Sequence, residues 1–151
     1  MWSTALRNLT NAPPEIKSRA WNAGAVQVLV AAMRRVRNVV VQREASAALQ
    51  IMTMDRSEED MLTAWEAGVV EAVVAAAREY VENEAMQAQA CGVLSSVVYD
   101  ATGESYQTWA GAAGAVEVVV VASRQHVGSA RVQHLAYAGL ARMVYRRAAN
   151  K

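Results

Sequence analysis

The side chains best equipped for chemistry in this chain are His126, His134, Cys91 and the carboxylate run Glu58, Glu59 and Asp60. A metal needs three or four donors converging on one point, and a general base needs a proton within hydrogen-bond reach. The two histidines are eight residues apart on different predicted helices, and no Cys-His-Asp spacing ties them to Cys91. Cys91 lies beside Ala90 and Leu94 on the apolar side of its predicted helix, as a structural thiol would. The three carboxylates crowd a helix start, where they complement the dipole and cap it. Gly111-Ala112-Ala113-Gly114 superficially resembles a phosphate loop, yet no Lys-Ser/Thr follows and no strand precedes it. No catalytic residue, metal ligand or cofactor is assigned, and the chain is read as non-enzymatic.

Arg34, Arg35, Arg37 and Arg43 form one basic cluster, and Arg146, Arg147 and Lys151 a second. Glu44 interrupts the first, and neither accompanies a nucleic-acid motif. The net charge of +1, from 15 Lys and Arg against 14 Asp and Glu, supplies no field to draw in a polyanion. Solvated surface is the expected role of these arginines.

These residues sit on an unusual scaffold. The 151 residues include 31 alanines and 23 valines but eight leucines, two isoleucines and no phenylalanine, so many close contacts must replace a few large ones. A single cysteine leaves no disulfide framework. No signal peptide is visible and the best apolar run, Val118 to Ala122, is too short to span a membrane. An intracellular protein, cytoplasmic or nuclear, is expected, with an organelle the alternative should a targeting segment have been removed.

A repeat of about 45 residues organises the chain. Ala23-Gly24-Ala25-Val26, Ala67-Gly68-Val69-Val70 and Ala113-Gly114-Ala115-Val116 align, with their glycines 44 and 46 residues apart. Arg34, Arg78 and Arg124 each follow ten residues after the glycine, and Trp21, Trp65 and Trp109 precede it. Val41-Gln42, Met86-Gln87 and Val132-Gln133 recur at the same period. Recurrence once per unit gives Gly24, Gly68, Gly114, the three tryptophans and the three arginines structural roles: tight corners, core pieces, and cations at helix C-termini that bridge to a neighbour.

Each unit divides into three helices. The first are predicted over 14–21, 57–66 and 104–110, opened by Pro14 and by a Ser57/Asp60 capping box. The second span 25–37, 69–80 and 115–126, and length and alanine content exclude strands there. The third span 41–53, 84–98 and 129–146. Residues 1–12 match the tail of another third helix, followed by repeats at about 13–54, 55–99 and 100–147 in a single domain.

A short helix, Ala-Gly-Ala/Val, a second helix, and a third of the form V/M-Q-x-x-A-x-x-x-L resemble an armadillo-repeat protein, with HEAT-type repeats the nearest rival. The resemblance implies an all-α, right-handed superhelix whose third helices line a concave groove for a peptide or protein. Units of 44–46 residues are longer than the family's, so the joints around 36–40, 81–85 and 127–130 are expected to be long or irregular. The family's groove asparagine falls on Asn8, Ile51, Ser96 and Arg142, and its tryptophan on Thr4, Ala47, Gly92 and Ala138. Only Asn8 keeps the asparagine, which argues against a receptor for basic signal peptides. One further turn gives the rows Arg43-Ala47-Ile51, Ala88-Gly92-Ser96 and His134-Ala138-Arg142, each with i, i+4 spacing on one face. The small residues at 88 and 92 equally suit close helix packing.

The expected function is a non-catalytic interaction or scaffold module for a protein partner, bound either in the groove or along the exposed side of a terminal unit, whereas a structural subunit needs two or more large apolar surfaces. A structural subunit buried in a larger assembly, or a homo-oligomer joined through terminal repeats, is the rival. Trp2, Leu6 and Leu9 at one end and Leu135, Tyr137, Leu140 and Tyr145 at the other are its candidate contacts. Nucleic-acid binding and catalysis rank below both.

Overall fold

A computed structural model describes residues 12–54, 56–98 and 114–149, with side chains described throughout these except at 58, 98 and 144–149. Eight helices make up the described chain: α1 (Pro14–Asn22), α2 (Ala25–Arg35), α3 (Val39–Thr53), α4 (Glu58–Glu66), α5 (Val69–Glu79), α6 (Glu84–Val98), α7 (Ala115–Gln125) and α8 (Ala130–Ala149). No strand occurs among the described residues, so the chain is all-α there. None of these helices is long and apolar enough to cross a membrane.

The helices pack in register with the repeat. Second helices touch third helices within a unit (α2 with α3, α5 with α6, α7 with α8), and like helices touch between units (α2 with α5 with α7; α3 with α6 with α8). Contact is most extensive between successive third helices. The middle one, α6, is therefore enclosed, and Met86, Ala88, Ala90, Cys91, Val93 and Leu94 are almost wholly buried. Small side chains there let backbones approach closely, which is how an interior of Ala and Val reaches normal density.

Local chemistry explains the boundaries. Each second helix stops short of its predicted end, at Arg35, Glu79 and Gln125, leaving Arg37, Tyr80 and His126 outside. The joints, expected to be long or irregular, are compact runs of three or four residues (36–38, 80–83 and 126–129). Asn38 Oδ1 accepts from the Val40 and Val41 amides, Asn83 Oδ1 from Met86, and Ser129 Oγ from Val132, so every third helix has a side-chain cap. The Asn38 cap starts its helix at Val39 rather than Val41. Ser57 Oγ accepts from the Asp60 amide at 3.1 Å, whereas the Asp60 carboxylate lies 3.6 Å from Arg56.

The repeated glutamine closes the other side of each joint. Gln42 Nε2 donates to the Met33 and Val36 carbonyls, Gln87 Nε2 to Ala77 and Tyr80, and Gln133 Nε2 to Ser123 and His126. Carbonyls at the end of a helix have no intrahelical partner. One amide group per unit supplies it and ties second helix to third.

The glycine corners couple one unit to the next. Gly24, Gly68 and Gly114 all have φ of 92°, a conformation that L side chains rarely adopt. At Gly68 the Arg34 guanidinium lies where a Cβ would stand, and at Gly114 Arg78 does the same, with Cζ 3.3 Å from that point in both. Arg34 and Arg78 thus each reach the following unit. Further links are the Arg37–Glu79 ion pair at 2.7 Å, Ser129 Oγ donating to Glu84 at 2.8 Å, and His126 Nε2 donating to the Val81 carbonyl at 2.9 Å.

The tryptophans diverge. Trp65 is 1% exposed, with Nε1 donating to the Val97 carbonyl, and is the core piece its recurrence predicts. Trp21 is only half-buried, and Arg56 lies over its ring with Cζ 4.5 Å from the centroid. Trp109 lies outside the described residues, as do Asn8, all of the partial repeat at 1–12 but its last residue, and the helix expected at 104–110.

Trp65→Ala should lose about 3–5 kcal/mol by removing a fully buried ring. Gln87→Met, which keeps the length but removes the donor, should lose about 1–3 kcal/mol by leaving the Ala77 carbonyl unpaired and Tyr80 with the Asn83 amide alone. Both are read from the urea midpoint, with the slope unchanged. A midpoint like the parent's would contradict the respective assignment.

Candidate functional site

Side by side, the third helices leave a cleft of about 370 Å³ lined by Gln50 and Met54 of α3 with its exit, Gly92, Ser95 and Ser96 of α6, and His134, Leu135, Ala138 and Arg142 of α8. Its floor is set by Gly92, where a Cβ would come within 2.7 Å of the Gln50 side-chain amide. The absence of a side chain at 92 is what lets Gln50 cross from the first unit into the second. On the far wall Arg142 Nη1 donates to the Ser95 carbonyl at 3.1 Å and to Ser95 Oγ at 2.8 Å, which anchors the guanidinium against α6. Ser96 Oγ turns back to its own helix, donating to the Gly92 carbonyl at 3.1 Å.

The electrostatic character follows from this roster. Arg142, His134, Gln50 and Ser95 offer donors, and none of the lining residues is a carboxylate. Met54, 52% exposed, and Leu135 add apolar surface at the edges. Such a surface suits a segment carrying carboxylates or backbone carbonyls beside an apolar side chain.

The structure gathers part of the predicted groove. Gly92, Ser96, His134, Ala138 and Arg142 meet in the cleft. Ala47 and Ala88 do not: they are 6% and 1% exposed, buried in the packing, where their small size permits the close approach of the third helices. Ile51 is half-buried and lines no part of the cleft, and Arg43, 3.5 Å from Glu44, lies outside it as well. Asn8 is outside the described residues. Gln50, Met54, Ser95 and Leu135 were missed by the row pattern. Gln50 and Ser95 stand four residues after Ser46 and Cys91, a spacing that marks the side of each third helix turned to the next unit.

Other candidate chemistry disperses. His126 is used between units and His134 lines the cleft, so the histidines serve different places. Among the described residues no three His, Cys, Asp or Glu side chains gather to hold a metal. The first basic cluster also separates: Arg34 covers Gly68, Arg37 pairs with Glu79, and Arg43 approaches Glu44. Cys91 is wholly buried, and burial pushes its thiol up from the ordinary 9.0 to about 12.

Compared with protein-family models, with curated proteins and with solved structures, the chain matches none of them. What can be said of its class rests on its own repeat: units of about 45 residues, helical wherever the structure describes them.

The raised Cys91 value has a direct consequence. The folded state holds the thiol proton more tightly than the unfolded chain, so stability is unaffected below pH 9 and falls as pH rises from about 9 towards 12. Cys91→Ala should abolish that part of the alkaline decline, seen as converging urea midpoints between pH 8 and about 11. Iodoacetamide should label the native thiol only at the rate of unfolding. Rapid labelling of the folded protein would show that the site is open.

Proposed function

We propose that this chain is a non-catalytic protein–protein interaction module with an armadillo-like, right-handed superhelical arrangement, in which the cleft between third helices receives a segment of a partner protein. The observation that carries the reading is the meeting of Gly92, Ser96, His134, Ala138 and Arg142 from two successive third helices in one open, donor-rich cleft. The unit-by-unit packing of like helices supports the solenoid arrangement, and the dispersal of His126, His134 and Cys91 supports a binding role over catalysis.

The partner segment is expected to be a helix or extended strand of chain with a carboxylate near Arg142. Arg142 is held by Ser95 in the absence of any partner, so binding does not have to order that long side chain first. Filling the cleft is therefore the decisive test. Ala138 is half-buried on its wall, and Ala138→Arg would occupy the space. Val28, 66% exposed on α2, provides a control through Val28→Asp.

The tagged full-length protein is captured from its native extract with a photo-reactive linker, because amine reagents reach only Lys17 and Lys151. Stoichiometric partner peptides should cross-link around Ser96 and Arg142. Ala138→Arg should weaken their capture by about tenfold or more while Val28→Asp leaves it unchanged. Contacts that avoid the cleft, or capture indifferent to Ala138→Arg, would overturn the reading.

A further inference from the structure

The joints between units are made from two complementary halves. The donor half is the arginine ending a second helix, and the acceptor half is the left-handed glycine corner of the following unit. Arg34 on Gly68 and Arg78 on Gly114 are completed pairs. Gly24 has the same φ of 92°, yet among the described residues a Cβ there would meet only Gln27 Oε1, at 3.7 Å. Arg124 occupies the donor position of the third unit, in the last turn of α7, and is exposed as Arg34 and Arg78 are. Among the described residues the first unit's corner thus has no arginine over it, and the third unit carries an arginine in the register that covers such corners.

A second observation points the same way. The repeat places Val127 and Tyr137 where the second unit has Val81 and Cys91. Those two face the third unit: Val81 is half-buried with its carbonyl receiving His126, and Cys91 is 0% exposed. Their counterparts Val127 and Tyr137 are 75% and 58% exposed, among the largest exposed apolar groups described. Apolar side chains stand where the register calls for a covering unit.

We propose that this chain docks head to tail on a second copy of itself, with Arg124 of one copy laid over the Gly24 corner of the next and Val127 and Tyr137 packed on that copy's first unit. The contact repeats the one already made twice within the chain. It is heterologous, so each copy keeps one unused half and chains of copies can grow unless the rotation closes a ring. Charge sets its strength. At Gly68 the Glu71 carboxylate stands 3.8 Å from the point the Arg34 guanidinium covers, and Glu117 borders the same hollow as Arg78. The corresponding residue beside Gly24 is Gln27, which is neutral. The open corner therefore has the shape for an arginine without the carboxylate, and self-association is weaker and more reversible than the internal joints.

Sedimentation velocity on the full chain over a concentration series tests this. The parent should show concentration-dependent association, Arg124→Glu should weaken it by about tenfold or more, and Gln27→Glu should strengthen it. Gln27 and Arg124 are both exposed, so each variant should melt with the parent when dilute. A mixture of Arg124→Ala, which lacks the donor at its tail, with Gln27→Lys, whose head repels an arginine, should form one-to-one dimers and nothing larger. Ala138→Arg, in the cleft, should leave self-association intact, which separates this outcome from that of the cleft. A parent and Gln27→Glu variant that both stay monomeric would overturn the proposal. So would association indifferent to Arg124→Glu, or a blocked mixture that yields no dimer.

Discussion

Each unit depends on one side-chain amide that pairs the carbonyls where a helix is made to stop. Gln42, Gln87 and Gln133 each donate to two carbonyls at the end of the second helix while standing in the first turn of the third. Without those donors the joint would expose unpaired carbonyls to a nearly dry interior, since Gln42 and Gln87 are 2% and 1% exposed. With them, second and third helices are held at a fixed angle by polar bonds, and the apolar contacts are free to be small. The caps at Asn38, Asn83 and Ser129 complete the joint by satisfying amides where the glutamine satisfies carbonyls.

A fixed joint explains how a chain without phenylalanine and with few leucines holds together. Alanine and valine bury little area apiece, so the helices must come close, and the most extensive contacts lie between third helices. The coupling between units then has a direction. An arginine reaches forward to a glycine corner, a histidine and a serine reach back to Val81 and Glu84, and Arg142 reaches back to Ser95. Polarity of this kind makes the two ends of the described chain unlike and complementary.

The cleft is a by-product of the same packing. Where Gly92 lets Gln50 cross and Arg142 is tied to Ser95, the third helices cannot fill the space between their outer edges. What remains is an open surface with donors and no carboxylate, on a rigid support. Cys91 and His126, which looked most able to do chemistry, are spent on the scaffold: one is enclosed with its proton held firmly, the other links two units.

The recurrence of Gly, Arg, Trp and Gln was legible in the linear chain, and with it the helix content and approximate helix bounds, because helix periodicity and corner chemistry act over a few residues. The left-handed corner at Gly68 and the cap at Ser57 are decisions of that local kind. Other outcomes required the units to be stacked. Ala47 and Ala88 share the spacing of Ser96 and Arg142 but are buried, and Trp21 shares its repeat position with Trp65 but is only half-buried. Gln50 and Met54 join a cleft that their own helix does not announce. Spacing assigns a residue to a side of a helix, but the neighbour that covers that side lies about 45 residues away. Burial, and therefore which residues are presented to a partner, is settled by that distant contact.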